Sequence, residues 1–365
     1  MLRLAWVGLL LLLVFPGCQK APPPPPADGI SRFPSGVPLR EGDLILAKSH
    51  GLIGALFASQ SQDGGRFSHA ALVYREAGEG GKPGRLLLLN YRPTGMEHDC
   101  YPEDFFTRYN RLALVRYQGD FQPEALSASA RLWLARDREK RIPPDYRLDY
   151  DQHQELFCLE LPGTVYRDNA LPDPFPVGRT AAGDALILLA GRLFNNPVTE
   201  VRSPSAVLGV PGFELLAEWV KPDYDLRYDA LNQELVDTLV AELVNGYRPG
   251  KPNVWGRLKL RQVFLLYNIV TRLLFWRPRQ DLPGFLNSEV VDNAYMLYSY
   301  VASAKKQAQK KAWLVTQPCP ASGGNPTQAE DLETVRRVVR DCLASLRPRY
   351  LVYPGEGLAA LPGDE

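Results

Sequence analysis

Two segments of the chain carry side chains suited to covalent chemistry at a carbonyl. Phe67-Ser68-His69-Ala70-Ala71-Leu72-Val73-Tyr74 puts an imidazole at the head of an apolar run, and Phe157-Cys158-Leu159-Glu160-Leu161 puts a thiol at the start of another. A thiol hydrolase needs three things. Its cysteine gains thiolate character at a helix N-terminus, beside an imidazolium. A histidine on a rigid element must lie within hydrogen-bond reach to exchange the proton. A third polar group must orient the ring. His69 heading a strand and Cys158 opening a helix suit the first two roles, and the backbone N–H of Cys158 is placed to help bind a developing oxyanion. Read singly, each residue also fits a bland role: a histidine satisfied inside a core, and a cysteine serving as a small buried hydrophobe.

The remaining chemistry-bearing residues read differently. Glu160 lies two positions from Cys158, on another face of a helix, and reads as an N-terminal acid or buried structural partner. His50, His98 and His153 read as surface residues, with His153, five positions before Cys158, the one substitute for His69. His98 and Cys100 have no second ligand pair at structural-zinc spacing, so no metal is expected. The chemistry requires no cofactor.

These groups need elements to hold them. Gly42 to Leu46, Ala70 to Tyr74, Arg85 to Leu89 and Leu112 to Tyr117 have strand length and turn-like borders, with Gly78 to Gly84 as a glycine-rich turn. Leu52 to Ala58, Pro123 to Ala135 and the run from Leu156 have helical spacing; Ala185 to Leu193 is strongly apolar. From about Asp229 the pattern is persistently helical, through Leu235-Leu239-Leu243, Val263 to Trp276, Val290 to Lys306 and Leu332 to Leu346. Strands first and helices later predict an α+β core, over about residues 39–222, with a mainly helical C-terminal region over 223–365. Lys305, Lys306, Lys310 and Lys311 read as a solvated basic face, and Val263 to Trp276 as a helix packed on the core or lying in a membrane interface.

The N-terminus reads as an address. Arg3, the apolar stretch Leu4 to Phe15 and then Pro16-Gly17-Cys18 form a signal peptide over residues 1–17, too short to span a bilayer. Cysteine after a small residue at its end resembles the lipobox of bacterial lipoproteins, which makes Cys18 the lipidated residue. Ordinary secretion is the other reading. Pro22 to Pro26 then extend as a semi-rigid spacer within a tether over 18–38. The expected place is the envelope: exported, lipid-anchored to the membrane, the outer one in a Gram-negative cell, facing the periplasm or the cell surface. Of the five cysteines, Cys319 and Cys342 flank a loop and a helix and can form a disulfide, which leaves Cys100 as a packed thiol. A net charge of +1 with no long basic run gives no reason to expect nucleic acid.

Taken together, the motifs resemble the permuted papain-like amidases of the YiiX/YaeF type, relatives of NlpC cell-wall peptidases and of lecithin:retinol acyltransferase. Gly42-Asp43-Leu44-Ile45 is similar to that family's opening strand, Ser68-His69-Ala70-Ala71-Leu72-Val73 to its Ser-His strand, and Phe157-Cys158-Leu159-Glu160-Leu161, preceded by Tyr146-Arg147-Leu148-Asp149-Tyr150-Asp151, to its cysteine motif. Ser203-Pro204-Ser205 and Leu215 to Val220 resemble its closing segment. The resemblance covers about residues 38 to 222 and implies a circularly permuted papain-like (NlpC-type) domain, with histidine before cysteine. Two positions depart from the pattern. Where the family strand ends in Glu, this one ends in Leu88-Leu89-Asn90, which makes Asn90 the third member, with Glu97 and Asp99 as fallback orienters; and Leu159 replaces the usual Ser. The resemblance implies a thiol hydrolase acting on an amide or ester, with a peptidoglycan peptide or an acyl amide as substrate. The alternatives are a lipid acyl hydrolase or acyltransferase, and a non-catalytic envelope scaffold that keeps the fold.

Overall fold

The run Leu44-Ile45-Leu46-Ala47 is apolar at every position because β1 (Leu44–Ala47) lies inside a six-stranded sheet covered on both faces. Successive side chains alternate between two cores: Leu44 and Leu46 belong to one, Ile45 and Ala47 to the other. The computed structural model describes residues 30–48, 66–143, 156–177, 202–222, 226–249, 288–315 and 328–352, with 55, 58 and 224 beside them and 79, 81, 93, 94 and 246 left out.

Along the chain follow β2 (His69–Arg75), β3 (Leu86–Arg92), β4 (Gly95–Glu97), α1 (Pro102–Arg108), β5 (Arg111–Tyr117), α2 (Pro123–Glu139), α3 (Glu160–Asp168) and β6 (Phe213–Val220). The sheet order is β4-β3-β2-β1-β5-β6, and every neighbouring pair is antiparallel. Helices α2 and α3 cover one face, where Leu126, Trp133, Leu161, Val165 and Tyr166 pack on Ala70, Leu72, Leu87 and Leu89. Helix α1 covers the other, with Phe105 and Phe106 against Ala71, Val73, Leu88 and Leu114. This is an α+β arrangement of helices on an antiparallel sheet, as the sequence pattern predicts.

The Gly42-Asp43 pair enters β1 for structural reasons. Gly42 sits at φ +86, where a Cβ would come 2.8 Å from the Phe121 ring. Asp43 is fully buried and bound by Arg116, whose Nε and Nη2 donate to Oδ1 at 2.7 Å and Oδ2 at 2.8 Å, and by the Arg40 amide at 2.7 Å. Burial nevertheless raises its pKa, against the pull of Arg116. The Tyr166 hydroxyl of α3 donates to the Gly42 carbonyl at 2.5 Å and so ties α3 to the start of β1.

Beyond the sheet come α4 (Leu226–Val244), β7 (Arg248–Pro249), α5 (Ser288–Val315), α6 (Gln328–Tyr350) and β8 (Leu351–Val352). The three helices bury a separate core that includes Leu231, Leu235, Tyr300, Ala304, Val335, Val339 and Cys342. Lys48, just past β1, is buried and 3.9 Å from Asp229 of α4. Lys305 departs from the expected solvated face: its Nζ donates to Asn232 of α4 at 2.8 Å, because a lysine stem can lie along a packed helix while its head finds a polar partner. Lys306, Lys310 and Lys311 are exposed as expected. No helix among the described residues is long and apolar enough to cross a membrane. Cys18, Pro22 to Pro26, Asp145 to Asp151, Ala185 to Leu193, Val263 to Trp276, Cys319, His50 and His153 lie outside the described residues, as does most of Leu52 to Ala58.

Candidate functional site

His69 opens β2, and its backbone is held in register opposite Ala47 at the end of β1. The neighbouring strand β3 pairs Leu72 with Leu89 and Val73 with Leu88. Two-residue alternation then carries His69 and Asn90 to the face that also holds Ala71, Val73 and Leu88. There His69 Nε2 and Asn90 Oδ1 are 2.7 Å apart, with both side chains buried. Phe105 of α1 and Tyr109 lie near-parallel to the imidazole, at centroid separations of 6.1 and 5.8 Å. Burial lowers the His69 pKa to about 4; the Asn90 hydrogen bond and the Glu97 charge oppose the fall, and Arg92 adds to it. The ring is neutral at physiological pH.

Cys158 is positioned by the start of α3. The Glu160 and Leu161 amides donate to the Phe157 carbonyl at 3.1 and 3.4 Å, and the Phe157 amide donates back to Glu160 Oε2 at 2.7 Å. This bond ties Glu160, the first residue of α3, back to the turn that leads into the helix, a structural role as expected, and Cys158 sits in that turn. The backbone N–H groups of Ala70, Cys158 and Leu159 face the sulfur and favour its thiolate. Burial is the larger effect and pushes the thiol up to about 12. The resting sulfur is therefore protonated, whereas helix position alone predicts a lowered pKa. Among the described residues no hydrogen bond joins the Cys158 sulfur to the His69 ring; the sulfur faces the peptide that follows His69 instead.

A second layer stands behind Asn90. Its Nδ2 donates to Glu97 Oε2 at 2.8 Å and lies 4.0 Å from Cys100 Sγ. Arg108 Nη1, at the end of α1, is 2.6 Å from Glu97 Oε1 and 2.7 Å from Oε2. Burial works against the Glu97 charge, but Arg108 and Asn90 outweigh it and hold its pKa below the ordinary value. Cys100 is packed as expected, and burial raises its pKa. Of the two fallback orienters, Glu97 reaches Asn90 rather than the ring. Asp99, with a side chain 67% exposed and 3.7 Å from Arg138, takes no part. Sequence reasoning missed Arg108; the signal available was a basic residue closing the helix begun by Pro102-Glu103-Asp104. His98 is no free surface residue: its Nε2 pairs with the buried Asp137 at 2.8 Å. A cavity of about 410 Å³ lies at the opposite ends of the same strands, where Arg75 and Arg116 are held by Glu41 and Asp43. Among the described residues no group of three or more His, Cys, Asp or Glu side chains is arranged to hold a metal ion.

No family model matches the chain, and a search of characterised proteins finds no match. Among solved structures it is similar to the crystal structure of metalloprotein YiiX from Escherichia coli O157:H7, with a TM-score of 0.39 and 17% identity, over 50% of this chain and 98% of that one. A likeness at that level decides neither fold nor chemistry.

Proposed function

We propose that the chain is a thiol hydrolase of amides or esters, built on a permuted papain-like domain, with Cys158 as nucleophile, His69 as base and Asn90 as the group that orients the ring. What carries this reading is the His69–Asn90 hydrogen bond at 2.7 Å, one peptide away from the amide that faces the Cys158 sulfur. In the resting site both partners are neutral. The step that follows is a proton transfer coupled to attack: the S–H proton moves to the unprotonated ring nitrogen of His69 as sulfur bonds to the carbonyl carbon. The oxyanion is met by backbone N–H groups at the head of α3, that of Cys158 among them. The imidazolium then returns its proton to the departing amine or alcohol, leaving a thioester that water resolves with release of the acid. An acceptor alcohol or amine in place of water would make the same site a transferase.

The substrate class follows from the envelope setting predicted by Cys18 and the proline tether: a peptidoglycan peptide or an acylated lipid. Incubating wild type and Cys158→Ala with muropeptides and with phospholipids tests it. Cleavage of one class by wild type alone is expected, and full activity in the variant would remove Cys158 from the role. The anchor is tested separately: metabolic labelling with a clickable fatty acid should mark wild type and not Cys18→Ser. Label on both, or on neither, would overturn it. A second reading, a non-catalytic scaffold that retains the fold, is favoured by the protonated, buried state of Cys158. It predicts no turnover of either substrate class.

A further inference from the structure

The amide of Asn90 has two ends, and which one meets His69 decides what the histidine can do. If Oδ1 faces Nε2, the ring must carry its proton there and Nδ1 keeps its lone pair. If Nδ2 faces Nε2, the ring must accept, the proton sits on Nδ1 and the base is lost. Nothing in an isolated Asn–His pair chooses between the two.

The surroundings do choose. Glu97 sits directly across the β3–β4 pair from Asn90, and Oε2 receives the Asn90 Nδ2 hydrogen at 2.8 Å. A carboxylate only accepts. The Cys100 sulfur, 4.0 Å from the same nitrogen, lies beside the second hydrogen, so the whole NH₂ end is turned from the ring. Glu97 is kept ionised and in place by Arg108, which contacts both of its oxygens.

Resting on the thiol-hydrolase reading, we infer that Glu97, held by Arg108, is the positioning residue of the site: acting through Asn90, it fixes His69 in the Nε2–H tautomer and leaves Nδ1 as the free base. The carboxylate that the resemblance places directly on the histidine is thereby supplied one residue further out, and Asn90 passes on its directional effect without its full charge.

The test is ¹⁵N NMR of the histidine side chains in the full chain, with His69 assigned by His69→Gln. Wild type should show His69 as Nε2–H; an Nδ1–H ring would overturn the inference outright. Glu97→Gln is isosteric, but its amide nitrogen can donate, and Arg108 draws its oxygen. The variant amide then donates to Asn90 Oδ1, Asn90 turns over, and the Nε2–H signal should be lost in favour of Nδ1–H. The His69 titration midpoint should fall as well, since the nearby negative charge that favours the imidazolium is gone. Glu97→Asp, still acceptor-only, should keep Nε2–H. Should Glu97→Gln not fold, Arg108→Gln at a side chain 33% exposed frees the carboxylate without touching Asn90 and should produce a mixture of tautomers. An unchanged Nε2–H ring in Glu97→Gln, or in Arg108→Gln where that variant stands in for it, overturns the proposal. The tautomer is read without turnover, so failure here is distinct from failure of the Cys158→Ala incubation.

Discussion

The sulfur of Cys158 faces the backbone N–H of Ala70, the residue that follows His69 in β2. The contact docks the head of α3 onto the strand that carries the imidazole. The sulfur is thus located by main-chain groups, while the imidazole is located by a side-chain network on the other side of the strand.

Reactivity of Cys158 should follow its burial. With the thiol pushed up to about 12, the thiolate fraction at neutral pH is small, and alkylation by iodoacetamide should speed up with pH without a plateau between pH 5 and 8. The expected slope is about tenfold per unit, since only the thiolate reacts. A flat, fast rate across that window would mean a preformed thiolate–imidazolium pair and would refute the neutral resting state.

His69 should make stability depend on pH. Its folded pKa, about 4, lies below the unfolded value near 6.5, so the unfolded chain binds the proton first as pH falls. Stability from the neutral ring is present above the unfolded pKa and is lost as pH drops through the folded one. The shift corresponds to about 3 kcal/mol at 1.36 kcal/mol per unit. Urea unfolding of wild type and His69→Gln at pH 7 and pH 4 isolates it: wild type should lose more, by about that amount. Equal losses would show that the ring titrates normally.

Asp43 should be a stability residue and not a chemical one. Its carboxylate is fully buried, and its removal strands the Arg116 guanidinium and the Arg40 amide. Asp43→Ala should cost about 3 kcal/mol, at the lower end for a broken buried pair because Arg116 keeps some contact with water. Asp43→Asn, which keeps an acceptor, should cost less. A loss under about 1 kcal/mol for the alanine variant in urea unfolding would show the pair to be dispensable.

Much of this architecture could be read from the chain because its signals are local. The runs around Leu44, Ala70, Leu86 and Leu112 are apolar because both faces of those strands are covered, and the bounds differ from expectation by three residues at most. The pairing of His69 with Asn90 came from the family resemblance, and β3 runs two residues past Asn90, to Arg92. Four features were not legible. β4 has only three residues, too few for any periodicity to register. α1 was announced by Pro102 and the acids after it, yet its seven residues resemble a loop unless the burial of Phe105 is known. The role of Glu97 depends on hairpin register opposite Asn90 and on Arg108 arriving from α1, relations that no spacing along the chain encodes. The height of the Cys158 pKa was hidden for the same reason, since helix position is local and desolvation belongs to the finished core.

The order of the strands also sets a schedule. His69 and Asn90 lie within one meander of adjacent strands, whereas Cys158 is reached only after β5 and α2. A ribosome emitting the chain from its N-terminus therefore delivers imidazole and amide first, sulfur later, and the edge strand β6 last. Until α3 docks, the sulfur has no fixed place against β2, so its seating coincides with closure of the core that α3 completes.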